Sequence, residues 1–184
     1  MNSLFHAGLE IQNYIEAQKW RFCFIGGLAV LRWGELRMTQ DIDLSLFSGF
    51  GYEESFIKKI LSAFPSRISD ALNFALSNRV LLLSASNHVP IDISLSGLPF
   101  EKEMINRATP FQFHPDCFLI TCSAEDLIIL KAFANRAIDW HDVEGIVIRQ
   151  SGNLDNKYII DQLIPLCEVK EMPDIVEKVK KLLS

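Results

Sequence analysis

A short apolar strand that ends in two glycines, followed within fifteen residues by alternating acidic and aliphatic positions, leaves a chain few ways to fold. Residues 21–25 (Arg-Phe-Cys-Phe-Ile) run straight into Gly26-Gly27, residues 27–33 form one or two helical turns, and Asp41-Ile42-Asp43-Leu44 opens a run that reaches Phe47. Aromatic and β-branched residues bounded by glycines read as a strand closing on a tight turn. Side chains alternate along a strand, so Asp41 and Asp43 share one face while Ile42 and Leu44 share the other. Burial of the aliphatic pair therefore holds the two carboxylates together on the opposite side.

The rest of the chain supplies the partners for that strand. An imperfect amphipathic helix spans residues 2–19, and a second helix over 52–64 stops at Pro65. Apolar runs at 79–85 and 89–95 flank Ser86-Asn87-His88 and predict a hairpin, with Pro90 at the start or edge of its second strand. Residues 99–107 read as a short helix, and 111–113 and 117–121 as short strands. Ser123-Ala124-Glu125-Asp126 ahead of an apolar run is an N-capping signature. Helices are expected at 139–149, 156–168 and 173–183. The fold class is α/β (α+β): a mixed-sheet core over 1–121 with a C-terminal helical portion, 122–184, packed on it. No repeat, low-complexity tract or linker interrupts this layout.

The chain has 184 residues, 49% of them apolar, 22% charged, with thirteen phenylalanines. That balance belongs to a folded domain with a real core. A net charge of −5 argues against a broadly basic nucleic-acid binder. The four cysteines lack metal-ligand spacing and read as reduced thiols, consistent with a cytoplasmic protein. The N-terminus carries no secretory-signal pattern, and no segment approaches the roughly 20 apolar residues of a membrane span.

Asp-x-Asp alone is a weak signal, because a solvated acidic edge produces it too. Asp92, set between Ile91 and Ile93 in a later predicted strand, adds a third carboxylate in need of a partner. If the two strands are neighbours, Asp41, Asp43 and Asp92 become oxygen ligands for a hard dication, Mg²⁺ or Mn²⁺. Gly26 and Gly27 at a helix start let the backbone approach phosphate. Arg37 suits a triphosphate oxygen and Thr39 adds a hydroxyl. Lys131 sits on an otherwise apolar helix, and Asp139 and Asp142 share a helix face. Each of these has a plain structural alternative: a tight turn, a surface arginine, a snorkelling lysine, a solvated helix start. The four histidines show no metal-ligand spacing, and Trp33 and Trp140 read as packing residues.

Strand, Gly-Gly, helix, Arg-x-Thr-x-Asp-x-Asp-Leu and a later Asp in an apolar strand resemble the DNA polymerase beta-like nucleotidyltransferase superfamily. Within it, Ser123–Lys131 and the run Lys131-Ala-Phe-Ala-Asn-Arg-Ala-Ile-Asp-Trp-His-Asp142 resemble the AbiEii-type branch, which includes type IV toxin–antitoxin toxins. The resemblance covers about residues 26–149 and is specific in combination, not in either half. It implies that Gly26 and Gly27 cradle phosphate and that Asp41, Asp43 and Asp92 bind metal, with Asp92 placed to help deprotonate an incoming hydroxyl. It further implies that Lys131 holds the triphosphate and that Arg136, Asp139 and Asp142 shape the nucleotide side of a cleft. Ala137-Ile138 depart from the branch's more basic pattern, and the helical part after 150 is short.

The expected activity is transfer of a nucleoside monophosphate from an NTP to an acceptor hydroxyl on tRNA or protein, as in a toxin with a cognate antitoxin. The alternatives are an aminoglycoside-modifying type of small-molecule nucleotidyltransferase and a catalytically silent nucleotide-binding module.

Overall fold

The computed structural model describes residues 2–184 and places the acidic strand at the middle of a six-stranded mixed sheet. In chain order the elements are α1 (Ser3–Ala17), β1 (Phe22–Phe24), α2 (Gly26–Trp33), β2 (Ile42–Phe47), α3 (Glu53–Leu61) and α4 (Ala71–Asn78). There follow β3 (Val80–Ser84), β4 (Pro90–Ser96), α5 (Pro99–Arg107), β5 (Thr109–His114) and β6 (Cys117–Thr121). Four helices complete the chain: α6 (Ala124–Ala134), α7 (Ala137–Arg149), α8 (Asn156–Val169) and α9 (Asp174–Leu183). The strand order is β3-β4-β2-β1-β6-β5. β2 runs antiparallel to β1 and parallel to β4, and β6 runs parallel to β1.

Hydrophobic alternation sets the register. Ile42, Leu44 and Leu46 lie beside Ile91, Ile93 and Leu95, and Leu81 and Leu83 of β3 oppose Ile93 and Ile91. All eight are buried on one face, which α1 covers: Gly8 packs against Leu119 and Ile42. Burying each aliphatic side chain stabilises the sheet by about 1.5–3 kcal/mol. A one-residue slip would exchange this whole set for Asp43 and Asp92. Against that, two like charges side by side cost only about 0.2–1 kcal/mol. The core therefore wins, and the carboxylates are carried to the other face.

β6 meets β1 in a single residue pair, Phe24 with Thr121, extended by the Cys122 amide donating to the Phe24 carbonyl at 2.9 Å. Before that point Gln12 of α1 takes the place of a neighbouring strand. Its side-chain amide donates to the Phe118 carbonyl and its side-chain carbonyl accepts from the Ile120 amide, both at 3.0 Å.

The expected elements are found within a few residues of their ends, and Pro90 is the first residue of its strand. Two differences matter. Asp41 lies just ahead of β2 rather than inside it. α4 was not expected: only Ala71 and Ala75 are buried along it, and Asp70 makes no capping bond, so neither periodicity nor a cap marks it.

The chain divides into two compact units. The first runs through Leu28 and resumes over Met38–Cys122, and it contains the sheet. The second joins Ala29–Arg37 to Ser123–Ser184. Residues 29–37 thus go with the C-terminal helices. There the Arg149 guanidinium donates to the Gly34 carbonyl and the Gln150 amide to the Trp33 carbonyl. Among the described residues the four cysteines are buried thiols, and no helix is long and apolar enough to cross a membrane.

Gln12→Ala leaves two part-buried backbone groups of β6, the Phe118 carbonyl and the Ile120 amide, without their partner. It is expected to lower unfolding free energy by about 1–3 kcal/mol in a urea titration; an unchanged midpoint would show that water replaces the side chain there.

Candidate active site

Register alone brings the first-unit acids together. Asp43 of β2 lies directly beside Asp92 of β4, and directly opposed or adjacent residues of paired strands point to the same face. Leu82 opposes Asp92 on the far side. Beyond β3, Pro65–Ile68 forms a strap: the Ser84 amide donates to the Pro65 carbonyl at 2.9 Å and the Arg67 amide to the Leu82 carbonyl at 3.1 Å. A row therefore runs across the sheet from Arg67 through Leu82 and Asp92 to Asp43, and the Arg67 guanidinium pairs with the Asp92 carboxylate. Arg67 was not identified from sequence. It sits in a polar turn 25 residues before its partner, with no motif around it.

The glycine pair meets the acids at the same end of the sheet. The Ile25 amide donates to the Asp43 carbonyl at 3.0 Å, and α2 begins at the next residue. Gly26 has φ of +56°, and a Cβ there would lie 2.6 Å from Asp43 Cγ. A Cβ on Gly27 would lie 2.6 Å from Thr39 Cβ. Both glycines are thus required by side chains packed against the first turn of α2. The carboxylate of Asp43 lies where a helix N-terminus favours negative charge. The Thr39 hydroxyl donates to Asp41 Oδ1 at 2.9 Å, tying the residue before the strand to the site.

The charge balance here is unfavourable. Burial pushes the Asp92 carboxyl above its ordinary range, the Arg67 guanidinium pulls it down, and the charge of Asp41 pushes it up again; the net direction is upward. Asp41, Asp43 and Asp92 supply only hard oxygen donors, the chemistry Mg²⁺ and Mn²⁺ prefer. All three are anionic oxygen donors, so the chemistry of the donor set fits such an ion. Among the described residues no group of three or more His, Cys, Asp or Glu side chains is already gathered closely enough to hold a metal ion.

The other predicted site residues gather in the second unit. Lys131 of α6, 7% exposed, donates to Asp139 Oδ1 at 3.0 Å and is paired with Asp142 Oδ2 at 2.9 Å. Arg37 holds Asp142 with two hydrogen bonds, from Nε at 2.7 Å and Nη2 at 3.0 Å. Arg136 holds Asp139 likewise, at 2.6 and 3.1 Å, and its backbone amide also donates to that carboxylate. Burial pushes both carboxyls up, but the hydrogen bonds and charges of Arg136 and Lys131 at Asp139, and of Arg37 and Lys131 at Asp142, outweigh it and hold both below the usual range. Trp140 is buried, with Nε1 donating to Asn135 Oδ1, as a packing residue should be. Ser123 caps α6 as its sequence suggests, accepting from the Asp126 amide at 3.1 Å.

No protein-family model matches the sequence, and no curated protein matches it. The fold, however, has solved counterparts. The lincomycin-bound crystal structure of the lincosamide antibiotic adenylyltransferase LnuA aligns over 79% of this chain and 98% of its own, with a TM-score of 0.52 and 14% identity. The solution structure of the antibiotic-resistance factor ANT(2'')-Ia aligns over 96% of this chain and 89% of its own, with a TM-score of 0.50 and 14% identity. The chain has a nucleotidyltransferase-like fold.

Two outcomes are expected. Gly26→Ala drives a methyl group into Asp43 at a positive φ. It should cost about 1–3 kcal/mol in thermal unfolding, and more than a Gly→Ala change at Gly49, whose added Cβ meets nothing. Asp139 and Asp142 have lowered folded-state pKa values, so their stabilisation is complete above the ordinary carboxylate pKa of about 3.9 and is lost as pH falls through the folded values. Asp139→Asn, which leaves Lys131 and Arg136 short of a negative partner, should destabilise the protein by on the order of 3 kcal/mol at pH 7. That deficit should shrink as pH drops below about 4, as followed by denaturant midpoints across pH.

Proposed function

We propose that this chain is a metal-dependent nucleotidyltransferase that transfers a nucleoside monophosphate from an NTP to an acceptor hydroxyl. The observation that carries the reading is the side-by-side placement of Asp43 and Asp92, with Asp41 next to them, against the glycine-led N-terminus of α2. In this reading the acceptor oxygen bonds to the α-phosphorus, the bond to the leaving pyrophosphate breaks, and the hydroxyl proton passes to Asp92. Asp41, Asp43 and Asp92 would hold Mg²⁺ or Mn²⁺, which when bound supplies the positive charge that a triphosphate and a leaving pyrophosphate need. The Gly26-Gly27 backbone and the α2 terminus orient phosphate, and Thr39 keeps Asp41 in place. Arg37, Lys131 and Arg136 enter as members of an ionic cluster with Asp139 and Asp142. Any contact of theirs with nucleotide has to compete with those carboxylates.

The acceptor class divides two ways. A net charge of −5 attracts a cationic small molecule and repels a polyanion. The lincosamide-modifying LnuA, similar in fold, supports a small hydroxylated acceptor for this chain too. The likeness of residues 123–142 to the AbiEii-type branch supports RNA or protein as acceptor, with a cognate antitoxin as partner.

The test is label transfer from each α-labelled NTP, with Mg²⁺ or Mn²⁺, to total RNA, total protein, or a panel of hydroxylated antibiotics. Label on one of these three names the acceptor class. Asp92→Asn is expected to reduce turnover by roughly 10²–10⁴-fold while circular dichroism stays that of the folded protein. The combined Asp41→Ala, Asp43→Ala variant should remove turnover altogether. Absence of transfer to any acceptor by the wild-type protein overturns the enzyme reading.

A further inference from the structure

The Arg67 guanidinium is built into the acidic face of the first unit, and the strap is what puts it there. Pro65–Ile68 is stitched to the outer edge of β3 by two backbone hydrogen bonds, and the Ser66 hydroxyl braces the turn by donating to the Ile68 carbonyl at 2.8 Å and accepting from the Ile68 amide at 3.1 Å. The backbone of Arg67 is therefore fixed opposite Leu82, and its side chain needs only to cross one strand to reach Asp92. An arginine held this way is not a surface side chain that happens to find an acid.

The strength of the pair is as informative as its position. The side chains of Arg67 and Asp92 keep 33% and 34% of their exposure. Half-exposed ion pairs are weak, because water competes with each partner. The contrast is with Asp139 and Asp142, whose side chains are 0% and 2% exposed and enclosed by cations. Arg67 neutralises Asp92 without locking it. Asp92 also has Asp43 directly beside it in the sheet, so the carboxylate pair still has reason to accept a stronger cation.

We propose, resting on the metal-dependent reading above, that Arg67 is the resident counter-cation of the site: it pairs with Asp92 in the metal-free protein, competes with the incoming dication for that carboxylate, and so sets the metal affinity. A dication that takes Asp92 displaces the guanidinium, which the strap retains beside the acids. Arg67 is thus a positioning residue, acting through Asp92.

The experiment is a Mn²⁺ titration of the whole protein without nucleotide, read by the paramagnetic resonance signal of free Mn²⁺. Arg67→Met is expected to bind Mn²⁺ roughly two- to fivefold more tightly than wild type, the range a half-exposed ion pair can supply. Arg67→Lys keeps the charge and should stay close to wild type. Adding Asp92→Asn to Arg67→Met should erase the gain. Should Arg67→Met fail to fold by circular dichroism, Arg67→Gln carries the same expectation, since the strap is held by the residue's backbone. Binding that is unchanged or weaker on loss of the charge overturns the inference; weaker binding would mean that Arg67 orients Asp92 as a ligand instead. If neither wild type nor variant takes up Mn²⁺, the metal site itself falls. If wild type binds and the variant binds no better, only the role of Arg67 falls.

Discussion

Two carboxylates on neighbouring strands repel, and the register that buries the aliphatic face leaves them no other place. Ile42, Leu44 and Leu46 cannot meet Ile91, Ile93 and Leu95 without Asp43 meeting Asp92. The core outweighs the repulsion several times over, so the sheet imposes the acidic pair whatever ligand comes to it. What surrounds the pair follows from this imposition. Gly26 lacks a side chain because Asp43 occupies the space above it. The first turn of α2 offers its positive end to that carboxylate. Arg67 is strapped to the sheet edge within reach of Asp92.

How much of this could be read from sequence depended on the range of the interaction. Period-two alternation in β2 and β4 is a local signal, and so are the Gly26-Gly27 turn, the Ser123 cap and Pro90 at a strand start. Pairing β2 with β4 is not local: Asp43 and Asp92 are far apart in the chain, and a lone Asp between isoleucines suggests a partner without naming it. Arg67 is further removed still, since it reaches the acids only through a strap with no regular structure. α4 escaped because two buried alanines make too faint a stripe, and its first residue has no side-chain cap. Arg37 stood next to the acidic strand in sequence and was read with it. In the structure its guanidinium is held by Asp142, 105 residues later.

The ionic cluster of the second unit gives those residue types a reason to exist independent of any ligand. Three cations, Arg37, Lys131 and Arg136, surround two carboxylates, Asp139 and Asp142, and each carboxylate is shared between Lys131 and one arginine. Arginine suits this because its planar fork can hold both oxygens of one carboxylate, as Arg37 does with Asp142. Removing one member leaves buried charge uncompensated, a heavier loss than the intact cluster is worth. Substitutions there will therefore perturb the fold before they report on nucleotide.

That separates two kinds of acid that look alike in sequence. Asp139 and Asp142 are compensated: positive partners outweigh burial, and both titrate below the ordinary range. Asp92 is not: burial and the charge of Asp41 outweigh Arg67, and it titrates above that range. A carboxylate already satisfied by protein cations gains little from a further cation. One left short by its own sheet gains most from a cation that arrives from solution. Charge balance, more than the spacing of Asp-x-Asp, is what separates Asp92 of β4 from the helical acids, which hold Lys131, Arg37 and Arg136 in place.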